Sequence, residues 1–87
     1  MTNDKLKMSN EGRLFEEISG LVSKIVKMPL DKISLESNLF TDLGVDSMTG
    51  IEIFAAIDQK YNLDVPEDKL KSVQTVGDLV ALVNNLI

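Results

Sequence analysis

The chain has 87 residues with 9 basic and 14 acidic side chains, a formal net charge of −5, and neither cysteine nor histidine. That length holds one small domain, which buries about 60–70% of the surface its unfolded chain exposes. The composition excludes disulfides, thiolate metal sites and histidine-based acid–base or metal chemistry.

Met1 to Ser9 shows no apolar period and is expected to be a flexible tail, with a single domain over residues 10–87. The first eight residues are polar and charged, unlike a signal peptide, and no apolar run approaches membrane-spanning length. The expected compartment is the cytoplasm, and the expected state a monomer.

A helix is predicted to start near Asn10. Leu14, Ile18, Leu21, Val22 and Ile25 recur at three- and four-residue steps, and Phe15 and Val26 widen that stripe. Met28-Pro29 marks its end, because the residue before proline is pushed out of helical geometry. Leu30 to Asp46 is a long connection of the kind that is pinned or functional. Leu30, Ile33, Leu39, Phe40 and Leu43 are the expected pins, and Asp31-Lys32-Ile33 the expected helical turn.

A second main helix is predicted from about Ser47 to Tyr61. Asn62 stops it, being tolerant of left-handed geometry. Val65-Pro66-Glu67-Asp68 opens a short helix ending by Ser72, with acids in its first turn. Thr75-x-x-Asp78 forms a capping box with Asp in the third place. Val76, Leu79, Val80, Val83 and Leu86 then line a last amphipathic helix. The predicted fold is all-α: an antiparallel four-helix bundle, three helices longer and one short, with a long first loop.

Charge is unevenly placed. From Glu36 to Asp68 there are eight acids and one base, Lys60, for −7; the remainder carries +2. Nucleic acid is excluded as a partner by repulsion from its phosphates. The acidic stretch suits either a basic protein surface or a solvated face that keeps the domain soluble.

Asp42-Leu43-Gly44-Val45-Asp46-Ser47-Met48 sits where the loop ends and the second helix begins. Gly44 permits a turn that a Cβ would resist. Asp46 and Ser47 are both good capping types. Ser47 therefore lies where free N–H groups and the positive end of a helix dipole gather, a place that favours a phosphate. By itself this is equally an ordinary helix-capping serine.

The wider string, Leu39-Phe40-x-Asp42-Leu43-Gly44-x-Asp46-Ser47-Met48 followed by Glu52, resembles the acyl carrier protein signature. The likeness extends from about Leu14 to Leu86. It implies that Ser47 carries 4′-phosphopantetheine as a phosphodiester and holds acyl groups as thioesters on that arm. It also implies the helical bundle with a long first loop. A carrier of activated acyl groups needs a thiol; with no cysteine in the chain, the sulfur must be imported. Asp46 would serve recognition by the phosphopantetheinyl transferase. Further implied partners are acyl-transferring and acyl-modifying enzymes such as ketosynthases or acyl ligases, in fatty acid, polyketide or related specialised lipid biosynthesis.

An enzyme is not expected. Ser47 has no histidine to activate it, adjacent side chains on a helix do not face each other, and the calcium-loop pattern is absent. Asp46 before the serine is similar to acyl carriers rather than to the Gly-Gly-His-Ser of peptidyl carriers. The alternatives are a D-alanyl or aminoacyl carrier, or an interaction module whose serine is never modified. Housekeeping carriers usually have an acid two places after the serine and several late in the helix. Here those places hold Thr49 and Asp58-Gln59-Lys60, so weaker electrostatic steering and a specialised carrier are expected.

A helical wheel sorts the second helix. With Met48 at zero and about 100° per residue, Ile51 falls near 300°, Ala55 near 340° and Glu52 near 40°. Met48, Ile51 and Ala55 are thus expected to form an outward apolar strip rimmed by Glu52, a partner-binding surface. Gly50 falls instead with Ile53, Phe54, Ile57 and Tyr61 on the core stripe. Its missing side chain is either tolerated slack or space for a tethered acyl chain.

Overall fold

The computed structural model describes the backbone of residues 2–87 and the side chains of residues 12–87. Three α-helices, α1 (Thr2–Val26), α2 (Ser47–Tyr61) and α3 (Val76–Leu86), are joined with two 3₁₀ helices, Leu30–Lys32 and Glu67–Ser72. Both α2 and α3 pack on α1, and the second 3₁₀ helix packs on α2. Among the described residues there is no strand, only an isolated antiparallel bridge between Asn38 and Thr75. The expected bundle, three longer helices and one short, is the observed architecture, with the short element tightened from α to 3₁₀ geometry.

The start of α1 differs from expectation. Its backbone is helical from Thr2 rather than from near Asn10. Once a helix has nucleated, each further residue adds a hydrogen bond, and no proline or glycine lies between Thr2 and Ser9 to stop it. Periodicity detects packing, not helicity without packing. The packing of these side chains, on which a tail assignment depends, lies outside the described residues.

The core draws on every helix and on the loop. Leu14, Ile18 and Val22 of α1, Ile53, Phe54 and Ile57 of α2, and Val76, Leu79, Val80 and Val83 of α3 are buried. Leu21, Ile25, Phe15 and Val26 flank them as half-buried neighbours, as the apolar stripe requires. Tyr61 ties the end of α2 to α1 by donating a 2.7 Å hydrogen bond to Glu17 Oε1. Burial, then the Glu17 carboxylate, raises its phenol pKa.

Both helix ends that face the loops turn through left-handed residues. Lys27 has φ 60° and Asn62 φ 55°. In each case the next amide closes back on the helix, Met28 N–H to Ser23 O at 3.2 Å and Leu63 N–H to Asp58 O at 2.9 Å. Asn62 was legible as such a stop; Lys27 has no residue-type signal for it.

The pins of the first loop are partly different. Ile33, Leu39 and Leu43 are buried as expected, joined by Val45, whereas Leu30 is 53% and Phe40 36% exposed. Asn38 explains the second case. Its Oδ1 accepts from Phe40 N at 2.9 Å and Thr41 N at 3.0 Å. The chain is wound there into a tight turn whose inner residue is Leu39, with Phe40 outside. Leu30 begins a 3₁₀ turn that buries none of its residues.

Candidate functional site

The start of α2 is held by the loop before it and by the start of α3. Leu39 N donates to Gln74 O at 2.8 Å, Val76 N to Ser37 O at 3.0 Å and Gly77 N to Leu35 O at 2.9 Å. Those bonds fasten the loop to the α3 N-terminus. Within the loop, Asp42 Oδ2 accepts from Asn38 N at 2.8 Å, and Val45 N donates to Leu39 O at 2.8 Å. Gly44 has φ +72°, the left-handed region where a Cβ costs about 1–2 kcal/mol. The chain thus reverses at Gly44, buries Val45 and enters the helix.

Asp46, not Ser47, caps α2. Its backbone is extended and its Oδ1 accepts from Thr49 N at 2.8 Å. The hydrogen bonds from Thr49 hold its carboxyl below the ordinary 3.8. Ser47 is the first helical residue and is exposed. No side-chain hydrogen bond engages its hydroxyl among the described residues. The capping role that would have explained Ser47 on structural grounds alone therefore belongs to its neighbour.

The rest of α2 divides as the wheel requires. Gly50, Ile53, Phe54 and Ile57 are buried. Met48 is 75% and Ile51 44% exposed, and Glu52 and Ala55 are exposed with them. Ser47, Met48, Ile51, Glu52 and Ala55 thus share one open face at the N-terminal half of the helix.

Gly50 is neither slack nor vacant space. A Cβ built on it would lie 2.7 Å from Leu70 Cδ2 and 2.9 Å from Leu70 Cδ1. The half-buried Leu70 side chain of the second 3₁₀ helix occupies the place that the sequence leaves open. Gly50 is there for close approach between two elements. No residue of that 3₁₀ helix is fully buried, so Leu70 is its principal apolar hold on the bundle.

A cavity of about 490 Å³ opens elsewhere, between α1 and α3, lined by Gly12, Phe15, Leu35, Gly77, Val80 and Ala81 among others. It takes no residue from α2. No group of three or more metal-ligating side chains occurs among the described residues, and no helix of the described residues is long and apolar enough to cross a membrane.

The capping box of α3 is as predicted. Thr75 Oγ1 accepts from Asp78 N at 3.0 Å, and Asp78 Oδ2 accepts from Gln74 N and Thr75 N at 3.1 and 3.2 Å. Those backbone donors lower the Asp78 pKa from 3.8. Both caps have the same pH consequence. A folded-state pKa below the unfolded value gives stability that is present above the unfolded value and lost as pH falls through the folded one. The melting temperature should therefore drop as pH falls below about 4. Asp46→Asn with Asp78→Asn keeps both capping oxygens but removes the titration. The double variant should lose less on going from pH ~5 to pH ~2.5 than the parent protein. An equal loss would show that other groups govern the acid limb.

Sequence comparison places these features among known proteins. Residues 16–83 match the family described as phosphopantetheine attachment site. An acyl carrier protein of Wolinella succinogenes is 30% identical over 67 residues, covering 77% of this chain and 88% of that protein. One from Sulfurovum sp. is 27% identical over 73 residues, covering 84% and 97%. The fold is similar to the solution structure of the apo doublet acyl carrier protein from prodigiosin biosynthesis, with a TM-score of 0.75 at 23% identity. That likeness covers 86% of this chain and only 36% of the doublet.

Proposed function

Because the chain belongs to the acyl carrier protein family, whose members bear a covalent 4′-phosphopantetheine group, we propose that Ser47 is the point of attachment. The observation that carries this is the Ser47 hydroxyl. It is exposed, stands at the first position of α2 and is engaged in no hydrogen bond among the described residues, because Asp46 does the capping. The residues present fit such a group. A phosphodiester at a helix N-terminus is stabilised by the dipole and the early N–H groups. When bound, the arm supplies the thiol that this cysteine-free chain lacks.

Membership implies a phosphopantetheinyl transferase and acyl-processing enzymes as partners. The carrier holds acyl intermediates as thioesters and delivers them to enzymes of fatty acid, polyketide or related specialised lipid biosynthesis. It works as a cytoplasmic monomer with no catalytic role of its own. Met48, Ile51 and Ala55 give partners a small apolar contact, and Glu52 gives orientation. Thr49 in place of an acid, and Gln59 and Lys60 late in α2, support a specialised pathway over general fatty acid synthesis.

Intact mass before and after incubation with coenzyme A, magnesium and a phosphopantetheinyl transferase tests the assignment. The parent protein should gain one phosphopantetheine and Ser47→Ala none. A Ser47→Ala protein that still gains the group would overturn it. Asp46→Ala should be modified more slowly, since it removes both the cap that shapes the helix start and an acid facing the basic transferase.

A further inference from the structure

One side chain closes the first loop on itself. Asn38 Oδ1 accepts from the amides of Phe40 at 2.9 Å and Thr41 at 3.0 Å. Asn38 O accepts from Asp42 N at 2.9 Å and from Leu43 N at 3.1 Å. Asp42 returns the contact, its Oδ2 accepting from Asn38 N at 2.8 Å. Leu39 is the residue that reaches out of this turn. Its N–H donates to Gln74 O at 2.8 Å, next to the Thr75 cap of α3, and its own carbonyl accepts from Val45 N at 2.8 Å. The turn is therefore fastened to the start of α3 on one side and to the approach to Ser47 on the other.

The carboxamide organises backbone, not core. Asn38 is half-buried, and the apolar pins around it are Leu39, Leu43 and Val45. Only Asp46 stands between the buried, hydrogen-bonded Val45 and Ser47. Asp46 caps α2 from an extended backbone, so its place depends on where Val45 is held. Without the Asn38 acceptor, the amides of Phe40 and Thr41 lose their protein partner and turn to water. The Leu39–Val45 contact is then free to drift. The first turn of a helix has no intrahelical acceptors for its own N–H groups, and it frays when its cap moves. Ile51 and Ala55 lie further along α2, where intrahelical bonds hold them whatever the loop does.

We infer that Asn38, with Asp42 as its counterpart, is a positioning residue for the loading of Ser47: it locks the loop to the start of α3 so that the serine hydroxyl is presented at one fixed place. The inference rests on the reading of Ser47 as the attachment site. In loading, the Ser47 oxygen forms a bond to the phosphorus that bears the pantetheine of coenzyme A. The pyrophosphate P–O bond on its far side breaks, adenosine 3′,5′-bisphosphate leaves, and the hydroxyl proton passes to a base of the transferase. Misplacing a reacting atom by about 1 Å costs about 100-fold in such a step. A frayed start of α2 keeps the outward apolar face on which a partner docks but spreads the reacting oxygen over several positions. Loss of the clamp thus acts on turnover rather than on docking.

Steady-state loading by a phosphopantetheinyl transferase at saturating coenzyme A tests this, with the full-length carrier as varied substrate. Asn38→Ala should lower kcat about ten-fold and change the KM for the carrier less than about two-fold. Asn38→Asp keeps an acceptor oxygen in the same turn and should return kcat to within about two-fold of the parent. Asp42→Ala should lower kcat about three-fold, whereas Asp42→Asn, which loses the charge but keeps the acceptor, should not. Ile18→Val, in the α1 core, lowers the melting temperature without touching the loop and should leave kcat unchanged. An Asn38→Ala protein with the parent's kcat would overturn the inference. So would an Asn38→Asp protein as slow as Asn38→Ala, or an equal loss of kcat in Ile18→Val. Melting curves report folding; should Asn38→Ala not fold, the Asp42 pair decides, and equal rates for Asp42→Ala and Asp42→Asn would overturn the inference. Failure of the attachment assignment is distinguishable, because the parent protein would then gain no phosphopantetheine mass at all.

Discussion

Ile53→Ala is expected to lower the free energy of unfolding by about 2–5 kcal/mol, and Ile51→Ala, two residues earlier on the same helix, by no more than about 1 kcal/mol. The contrast follows from which face each occupies. Ile53 is 2% exposed in the core formed by all three α-helices, and truncation leaves a cavity there. Ile51 is 44% exposed beside Ser47, so its truncation removes little buried contact. The functional effect should run the other way. Ile51→Ala should slow transfer to partner enzymes while leaving the melt nearly unchanged, and Met48→Ala should behave similarly. Chemical denaturation and partner turnover measured on the same proteins decide it. A loss of several kcal/mol from Ile51→Ala would place that side chain in the core and remove the outward strip.

Gly50→Leu is the second large effect. Glycine within a helix costs about 1 kcal/mol against a residue with a side chain, so propensity alone predicts stabilisation. Packing predicts the opposite and should win. The first added carbon already meets the Leu70 methyl groups at 2.7 and 2.9 Å, and the rest of a leucine side chain must enter the same space. Overpacking of this kind costs about 1–3 kcal/mol. Leu70 can swing outward, but it is the principal apolar hold of its 3₁₀ helix, so relief of the clash loosens that element. Adding Leu70→Ala to Gly50→Leu should therefore recover part of the loss. A Gly50→Leu protein as stable as its parent would show that the approach of these two elements is soft.

Most of the architecture was legible because apolar periodicity, capping types and proline positions agree with one another along this chain. Residues 47–61 and the Thr75–Asp78 box were assigned to the structures that they adopt. What was not legible has identifiable physical origins. Leu30 and Phe40 are as apolar as the true pins, and their exposure is decided by the backbone winding around Asn38, which no periodicity encodes. Lys27 adopts a left-handed conformation with no glycine or asparagine to announce it. Gly50 could be placed on the core side, yet only the fold shows that Leu70, twenty positions on, fills its vacancy. At the site itself, two capping types stand side by side in Asp46-Ser47. Sequence could not say which one caps, and that division of labour is what leaves Ser47 free. Glu67 was assigned to a helix start; its nearness to Ile51 and Ala55 is a tertiary fact.

The most direct measurement of the central claim is residue-level mapping of the arm. No lysine or arginine lies between Lys32 and Lys60, so trypsin releases Ser47 in one peptide, Ile33–Lys60, from protein treated with coenzyme A and the transferase. That peptide also contains the hydroxyls of Ser34, Ser37, Thr41 and Thr49, and fragmentation distinguishes them. The phosphopantetheine mass is predicted on Ser47 and on no other residue. Its appearance on any of the other four, or a peptide that remains unmodified, would contradict the assignment.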